Sequence, residues 1–337
     1  MSRSFPRWLS SLLAAAVTAE LAVLTSGVQT PAQAAEPSRL TVRKLGDPGP
    51  LEIVDGNSPV LRYNYQWVPE PAEVKDRISA ASRKYAVARS DYIHPLYGPR
   101  GEVLTEDWSP DHPHHRGIYW AWPEVDWRGQ RGDLHALQLV FARPTGNVQI
   151  EEGTDFAQIA AENEWRWEDR TPVVREQAVI RAGRQTAAGR AIDLQFRFTA
   201  LQDEVQIARR GASHYGGLNV RLSAAQDQQI ETAADPADAS PRRAWAQRTG
   251  TPAGGPSVVG FTILQHARNP DYPGDWVQYP NLSWIQPTFP AVNTRWTLTP
   301  DRPLVLRYRL WIHVGKQTPE TIQGWWDAYQ AETAAEK

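Results

Sequence analysis

Three of the chain's eight histidines fall within four residues, in Asp111-His112-Pro113-His114-His115-Arg116-Gly117, which runs straight into Ile118-Tyr119-Trp120-Ala121-Trp122-Pro123. Imidazole titrates nearest neutrality and is the commonest metal ligand, so a dense cluster suits proton transfer, metal binding or a grip on a polyhydroxylated ligand. His112, His114 and His115 are therefore candidate catalytic residues and the candidate ligands of a divalent metal. The plainer alternative is a hydrated turn whose imidazoles cap local carbonyls. The density of the cluster favours a functional role. Pro113 and the lack of a helical pattern exclude a HExxH-type protease site, and no G-x-S-x-G setting offers a serine nucleophile. Paired carboxylates are the other hydrolytic option, with Glu106, Asp107, Asp111, Glu124 and Asp126 near the loop; a working separation between any two is not readable from sequence.

Composition narrows the ligand more than the class. Fifteen Trp and eleven Tyr accompany one Met and no Cys, and the net charge is −2. Near-neutral balance argues against a phosphate-backbone partner, so no nucleic acid is expected. Aromatic faces beside hydrogen-bonding side chains are the material of a sugar-binding cleft, because a pyranose offers an apolar C–H face and a ring of hydroxyls; core packing is the equally available explanation for any single Trp. Absence of Cys rules out disulfides and thiolate chemistry together. Arg3 and Arg7, the apolar run Leu9 to Leu24, and Ala32-Gln33-Ala34 read as an export signal over residues 1–34, giving a secreted or periplasmic protein with no membrane-spanning segment in residues 35–337.

The elements that must position the histidines are mostly strands. Leu40–Lys44, Leu51–Val54 and Pro59–Trp67 lead, then an exposed charged connection from Pro69 to Arg83 and a hairpin through Gly98-Pro99-Arg100-Gly101 that delivers the chain to the histidine loop. His135–Arg143, Phe156–Trp167, Val173–Arg181, Ala191–Ala200 and Val205–Ala208 follow. Ile192, Leu194, Phe196 and Phe198 alternate with Asp193, Gln195, Arg197 and Thr199, the period of a half-buried sheet. Ala224 to Ser240 reads as a surface excursion, Ser257–His266 and Arg302–Val314 as strands flanking a Pro-rich loop from Pro270 to Pro290, and Pro319 to Lys337 as an amphipathic helix. With no βαβ alternation, the expectation is an all-β chain: one large antiparallel β-sandwich over residues 35–337 with a C-terminal helix.

The motifs Ile93-His94-Pro95-Leu96-Tyr97 with Gly101, and Asp111-His112-Pro113-His114-His115-Arg116-Gly117-Ile118, resemble the signature of an exported bacterial family of unknown function often labelled PmoA-like, or "methane oxygenase PmoA". Gly216-Gly217-Leu218-Asn219-Val220-Arg221, His266-Ala267-Arg268-Asn269-Pro270 and the run Leu306 to Gly315 agree with it, and the segment Asp271 to Trp276 departs from it. The label's activity does not fit, since a membrane methane monooxygenase subunit needs several apolar spans. The resemblance implies instead a sandwich similar to the galactose-mutarotase-like supersandwich, with a carbohydrate ligand lying across a concave sheet. On that placement His94, His266 and His313 join His112, His114 and His115 as catalytic candidates, with Asp111, Arg116, Trp120, Arg221 and Asn269 as substrate-binding candidates. The chemistry would be a lyase, epimerase or hydrolase reaction on a sugar or oxidised sugar; a noncatalytic glycan-binding or structural envelope protein is the alternative. His135, opening an apolar strand, reads as a structural hydrogen-bonding residue, and an ion pair is as available to Arg221 as a ligand contact.

Overall fold

The structure, a computed structural model, describes residues 39–233 and 244–335, so the export signal read over 1–34 lies outside it. Strands dominate, and two antiparallel eight-stranded sheets face one another. The first runs, in order, Leu40–Lys44, Leu51–Asp55, Ser58–Asn64, Tyr92–Leu96, Ile118–Ala121, Gly217–Arg221, Trp284–Pro287 and Trp276–Tyr279. The second runs Ala225–Thr232, Trp245–Pro252, Val259–Gln265, Leu304–Val314, Arg190–Ala200, Thr171–Gly183, Phe156–Trp167 and Val140–Glu152. A smaller sheet joins Trp296–Thr297, Gln206–Ala208, Glu124–Trp127 and Gln130–Gly132. This is the expected antiparallel β-sandwich, with the C-terminal helix Pro319–Ala335 laid on the outer face of the second sheet.

Alternation of side chains builds the interface between the sheets. Phe156–Trp167 buries every second residue, and Ile192, Leu194, Phe196 and Phe198 form the buried row of their strand. From the first sheet, Trp120 meets Phe196 with ring centroids 4.0 Å apart, and Trp122 meets Trp165 and Phe198 at 5.6 and 5.2 Å. Trp120, read from sequence as a ligand contact, is thus a core residue whose indole donates to Glu176 Oε1 at 2.5 Å.

A polar knot crosses that core. Tyr63 donates to Asp91 Oδ1 at 2.6 Å, Asn163 donates to the same oxygen at 3.0 Å, and Trp165 donates to Glu176 Oε2 at 2.7 Å. Asn163 also reaches Glu176 Oε1 at 3.5 Å, so the Asp91 and Glu176 carboxyls lie side by side. Two carboxylates cannot both ionise there. Burial first, and the neighbouring Asp91 charge second, hold Glu176 well above the usual carboxyl range, so it keeps the shared proton.

Proline-rich and polar stretches hide strands. The Pro270–Pro290 segment, read as a loop, carries the edge strand Trp276–Tyr279 and, next to it inside the sheet, Trp284–Pro287, whose register is set by pairing rather than propensity. Likewise Ala225–Thr232 is an edge strand in the segment read as an excursion, whose later part, 234–240, lies outside the described residues. The strand read from His135 begins instead at Val140, and His135 sits in a turn closed by Asp133 and Gln138.

Because Glu176 binds its proton more tightly folded than unfolded, its contribution is complete below the unfolded carboxyl value and declines as the pH rises toward the folded one. Asp91→Asn removes the adjacent charge and puts an amide N–H where the shared proton lies; asparagine also accepts the positive φ of 66° found at this position. The melting temperature of the variant is expected to gain on that of the parent as pH rises above the ordinary carboxyl range. A variant-minus-parent difference independent of pH contradicts this.

Candidate functional site

Strand parity decides which aromatic of the run after the histidine loop meets solvent-side chemistry. In Ile118–Ala121 Trp120 faces the opposite sheet, so Tyr119 faces away from it. Its hydroxyl lies 2.9 Å from His135 Nε2, and its ring approaches Trp284 at 6.4 Å. Over this outward face of the first sheet, loops enclose a cavity of about 400 Å³. Its lining includes His112, His114, His115 and His135, the ion pair of Asp133 and Arg210, and the rings of Tyr85, Tyr215, Tyr279 and Trp284.

The histidine loop is braced from behind by two arginines. Arg116 is fully buried, ion-paired with Asp107, bonded to the Tyr92 hydroxyl at 2.6 Å, and stacked 3.7 Å from Trp108. Arg221 donates to Glu106 at 2.7 Å and to the Ser109 hydroxyl at 3.1 Å. Asp111 accepts from Ser109 and lies 2.9 Å from His112 Nδ1, at an angle short of a well-formed hydrogen bond. Partial burial opposes the Asp111 charge, but Ser109, His112 and Arg221 outweigh it and pull its pKa to about 2. The loop ends at Gly117, whose φ is +63° and where a Cβ would stand 2.2 Å from the Ile93 carbonyl. Only glycine fits both constraints.

The four imidazoles touch in one group. His112 stacks on His115 with centroids 4.6 Å apart, His114 meets His115 edge-on at 4.5 Å, and His135 closes the group at 5.3 Å from His114 and 5.5 Å from His115. One ring nitrogen from each of His114, His115 and His135 lies within 4.8 Å of the other two. Burial, reinforced by Arg89 and His112, lowers His114 to about 3. Burial and the neighbouring imidazoles hold His115 and His135 far below the ordinary value. These three are neutral rings at pH 7. Asp133 is pushed the other way: burial raises it to about 6, against the Ala136 amide and Arg210. Arg89 props the turn from beneath, donating to the carbonyls of Leu134 at 3.0 Å and of His135, with its guanidinium 4.5 Å over Tyr119.

The sequence-derived candidates separate into two groups. His112, His114 and His115 line the cavity; His94, His266 and His313 do not. His94 bonds Thr105 Oγ1 at 3.0 Å in its strand. His266 packs edge-on against Tyr329 of the helix at 5.1 Å and accepts from the Arg268 amide. His313 is buried in the slot that Gly260 leaves open, bonded to Thr262 at 3.1 Å and covered by Trp325. The face of Leu304–Val314 that carries His313 is the face on which the helix lies: Trp311 stacks on Trp325 at 4.7 Å and Arg309 pairs with Glu332 at 2.7 Å. The expected gathering of all these imidazoles over one surface is therefore replaced by a tighter group of four.

Among the proposed ligand contacts, Asp111, Arg116 and Arg221 brace the loop. Asn269 closes a turn against the Arg307 backbone, donating at 2.8 Å and accepting at 2.7 Å. None of these lines the cavity, nor does Trp120. His135, Asp133, Arg210 and the tyrosines were missed. Asp133-Leu134-His135 follows a Gly closely, a turn signal that could have separated His135 from the strand after it; the others come together only through tertiary structure.

Fold and site together define an antiparallel β-sandwich carrying a histidine-lined cavity on one sheet. The chain belongs to a family of unknown function (DUF6807), matched over residues 51–327. No curated protein matches it. Among solved structures it is similar to a protein described as a kojibiose phosphorylase from the human microbiome, at 9% identity and a TM-score of 0.36, over 89% of this chain and 36% of that one. It is also similar to a polysaccharide lyase, at 11% identity and a TM-score of 0.27, over 67% of this chain and 31% of that one. The chain thus spans about a third of the length of each. Among the described residues no helix is long and apolar enough to cross a membrane.

Gly117→Ala is expected to lower stability by about 1–3 kcal/mol in urea denaturation, since it forces a side chain into a left-handed conformation against a carbonyl. A change within experimental error would show that the loop's exit is not constrained.

Proposed function

We propose that the chain acts on a carbohydrate, a sugar or an oxidised sugar, held in the cavity over the outward face of the first sheet, and that it works after export to the periplasm or exterior. The observation that carries this reading is the lining itself: four aromatic rings and four imidazoles converge with one carboxyl and one guanidinium around about 400 Å³. Aromatic faces take the C–H surface of a pyranose, while the Arg210–Asp133 pair and the imidazoles meet its hydroxyls. A ligand lying across one sheet is also what a mutarotase-like supersandwich would provide.

Proton transfer is the chemistry best served. His112 is the half-exposed imidazole of the group, with Asp111 beside Nδ1, which leaves Nε2 to exchange a proton with a bound ligand. Lyase, epimerase and hydrolase reactions all need such a group. The second reading, a noncatalytic glycan-binding module, uses the aromatic wall alone.

In a calorimetric screen against oligosaccharides and uronates, Tyr215→Ala and Tyr85→Ala are each expected to weaken binding of the positive ligand by about 1–2 kcal/mol, roughly five- to thirtyfold. His112→Gln is expected to keep affinity and lose about 10²–10⁴-fold in turnover. Binding without turnover in the parent assigns the noncatalytic module. A parent that binds no member of the screen contradicts the carbohydrate reading.

A further inference from the structure

We propose that His114, His115 and His135 form a three-imidazole site for a divalent transition metal, zinc foremost, at the base of the cavity. The inference rests on the reading of this cavity as the working site only for the metal's role; binding of the ion stands on the geometry below.

Neutral imidazoles with an uncommitted nitrogen are lone-pair donors. Among the described residues no group bonds Nδ1 of His114 or Nδ1 of His115, although both atoms are buried and the His115 residue is 7% exposed. An orphaned polar atom in such a place is costly unless something takes it up. His135 has Nε2 tied to the Tyr119 hydroxyl, the outer partner that fixes the ring of a metal-ligating histidine, which leaves its other nitrogen for an ion. Arg89 in turn fixes the backbone that carries His135. Three nitrogens around a tetrahedral ion with bonds of about 2.0–2.1 Å stand about 3.3 Å apart. The observed mutual limit of 4.8 Å therefore needs a closure of about 1.5 Å at most, within the reach of χ rotations.

The donor set selects the ion: imidazole suits zinc, copper, iron and nickel, whereas calcium and magnesium want oxygen. Three protein ligands with the fourth position facing a cavity match a catalytic rather than a structural zinc site. In that position the ion would polarise an oxygen of the bound sugar, while His112, outside the triad, remains available to the proton.

Arg89 and Arg210 oppose a dication electrostatically, and Asp133 and Asp111 offset them. The site is therefore a histidine site tuned by second-layer charge rather than an acidic cluster.

The test uses the untagged full chain, stripped with EDTA and titrated with Zn²⁺ by calorimetry and with Co²⁺ by visible absorption. One equivalent of each is expected, with the intense d–d band of a four-coordinate cobalt site. His115→Ala and His135→Ala are expected to weaken uptake at least tenfold, and His266→Ala to leave it unchanged, with folding checked by near-ultraviolet circular dichroism. Should His135→Ala fail to fold, His114→Gln, at a less buried ring, carries the same expectation. No uptake by the parent, or equal uptake by parent and triad variants, overturns the proposal. Sugar binding by the stripped parent and by Tyr215→Ala is measured in parallel: sugar binding without metal uptake overturns the metal site alone, and metal uptake without any sugar ligand overturns the carbohydrate reading alone.

Discussion

Desolvation is the constraint on which this structure depends. The sandwich closes over groups that would carry charge in water, and it keeps several of them neutral. Glu176 holds a proton between Asp91 and two indoles, and His114, His115 and His135 lose theirs against one another and against Arg89. Two of the charges kept inside are tied to a carboxylate: the buried Arg116 to Asp107, and Arg209 to Asp275 at 3.0 Å. Such pairs add little net stability but are costly to break, so they fix geometry more than they hold the fold together.

The two neutral groups sit on opposite faces of the same strand. Trp120 carries the core side, through Glu176, and Tyr119 carries the cavity side, through His135. The rigid sandwich thus supplies a floor, and the loops supply most of the reactive side chains. Those loops are anchored individually: the histidine loop by Arg116 and Arg221, and the segment bearing Arg210 and Tyr215 by Arg209, which donates to the His214 carbonyl at 2.7 Å. A site assembled this way can have its ligand preference changed by loop residues without disturbing the sheets.

The architecture was readable because alternation is a local signal. Phe156–Trp167 and Leu304–Val314 declare themselves by period, and the terminal helix by the spacing of Ile322, Trp325, Trp326 and Tyr329. Edge strands such as Trp276–Tyr279 do not, because their identity comes from a neighbour's hydrogen bonds. The site was readable in part for the same reason. His112, His114 and His115 are adjacent in sequence, so their meeting required no fold. His313 was misassigned because parity tells which residues share a face but not what covers that face, and here it is the helix. His135 was missed because its partners are distant in sequence and its turn looked like the start of a strand.

The central claim is that a single ligand engages the group of four imidazoles and no other histidine. It is tested most directly by recording the imidazole nitrogen resonances of ¹⁵N-histidine-labelled protein while a saturating sugar is added. The account predicts that the signals of His112, His114, His115 and His135 move together while those of His266 and His313 stay in place. Movement confined to His266 and His313, or uniform small changes in all of them, would contradict it.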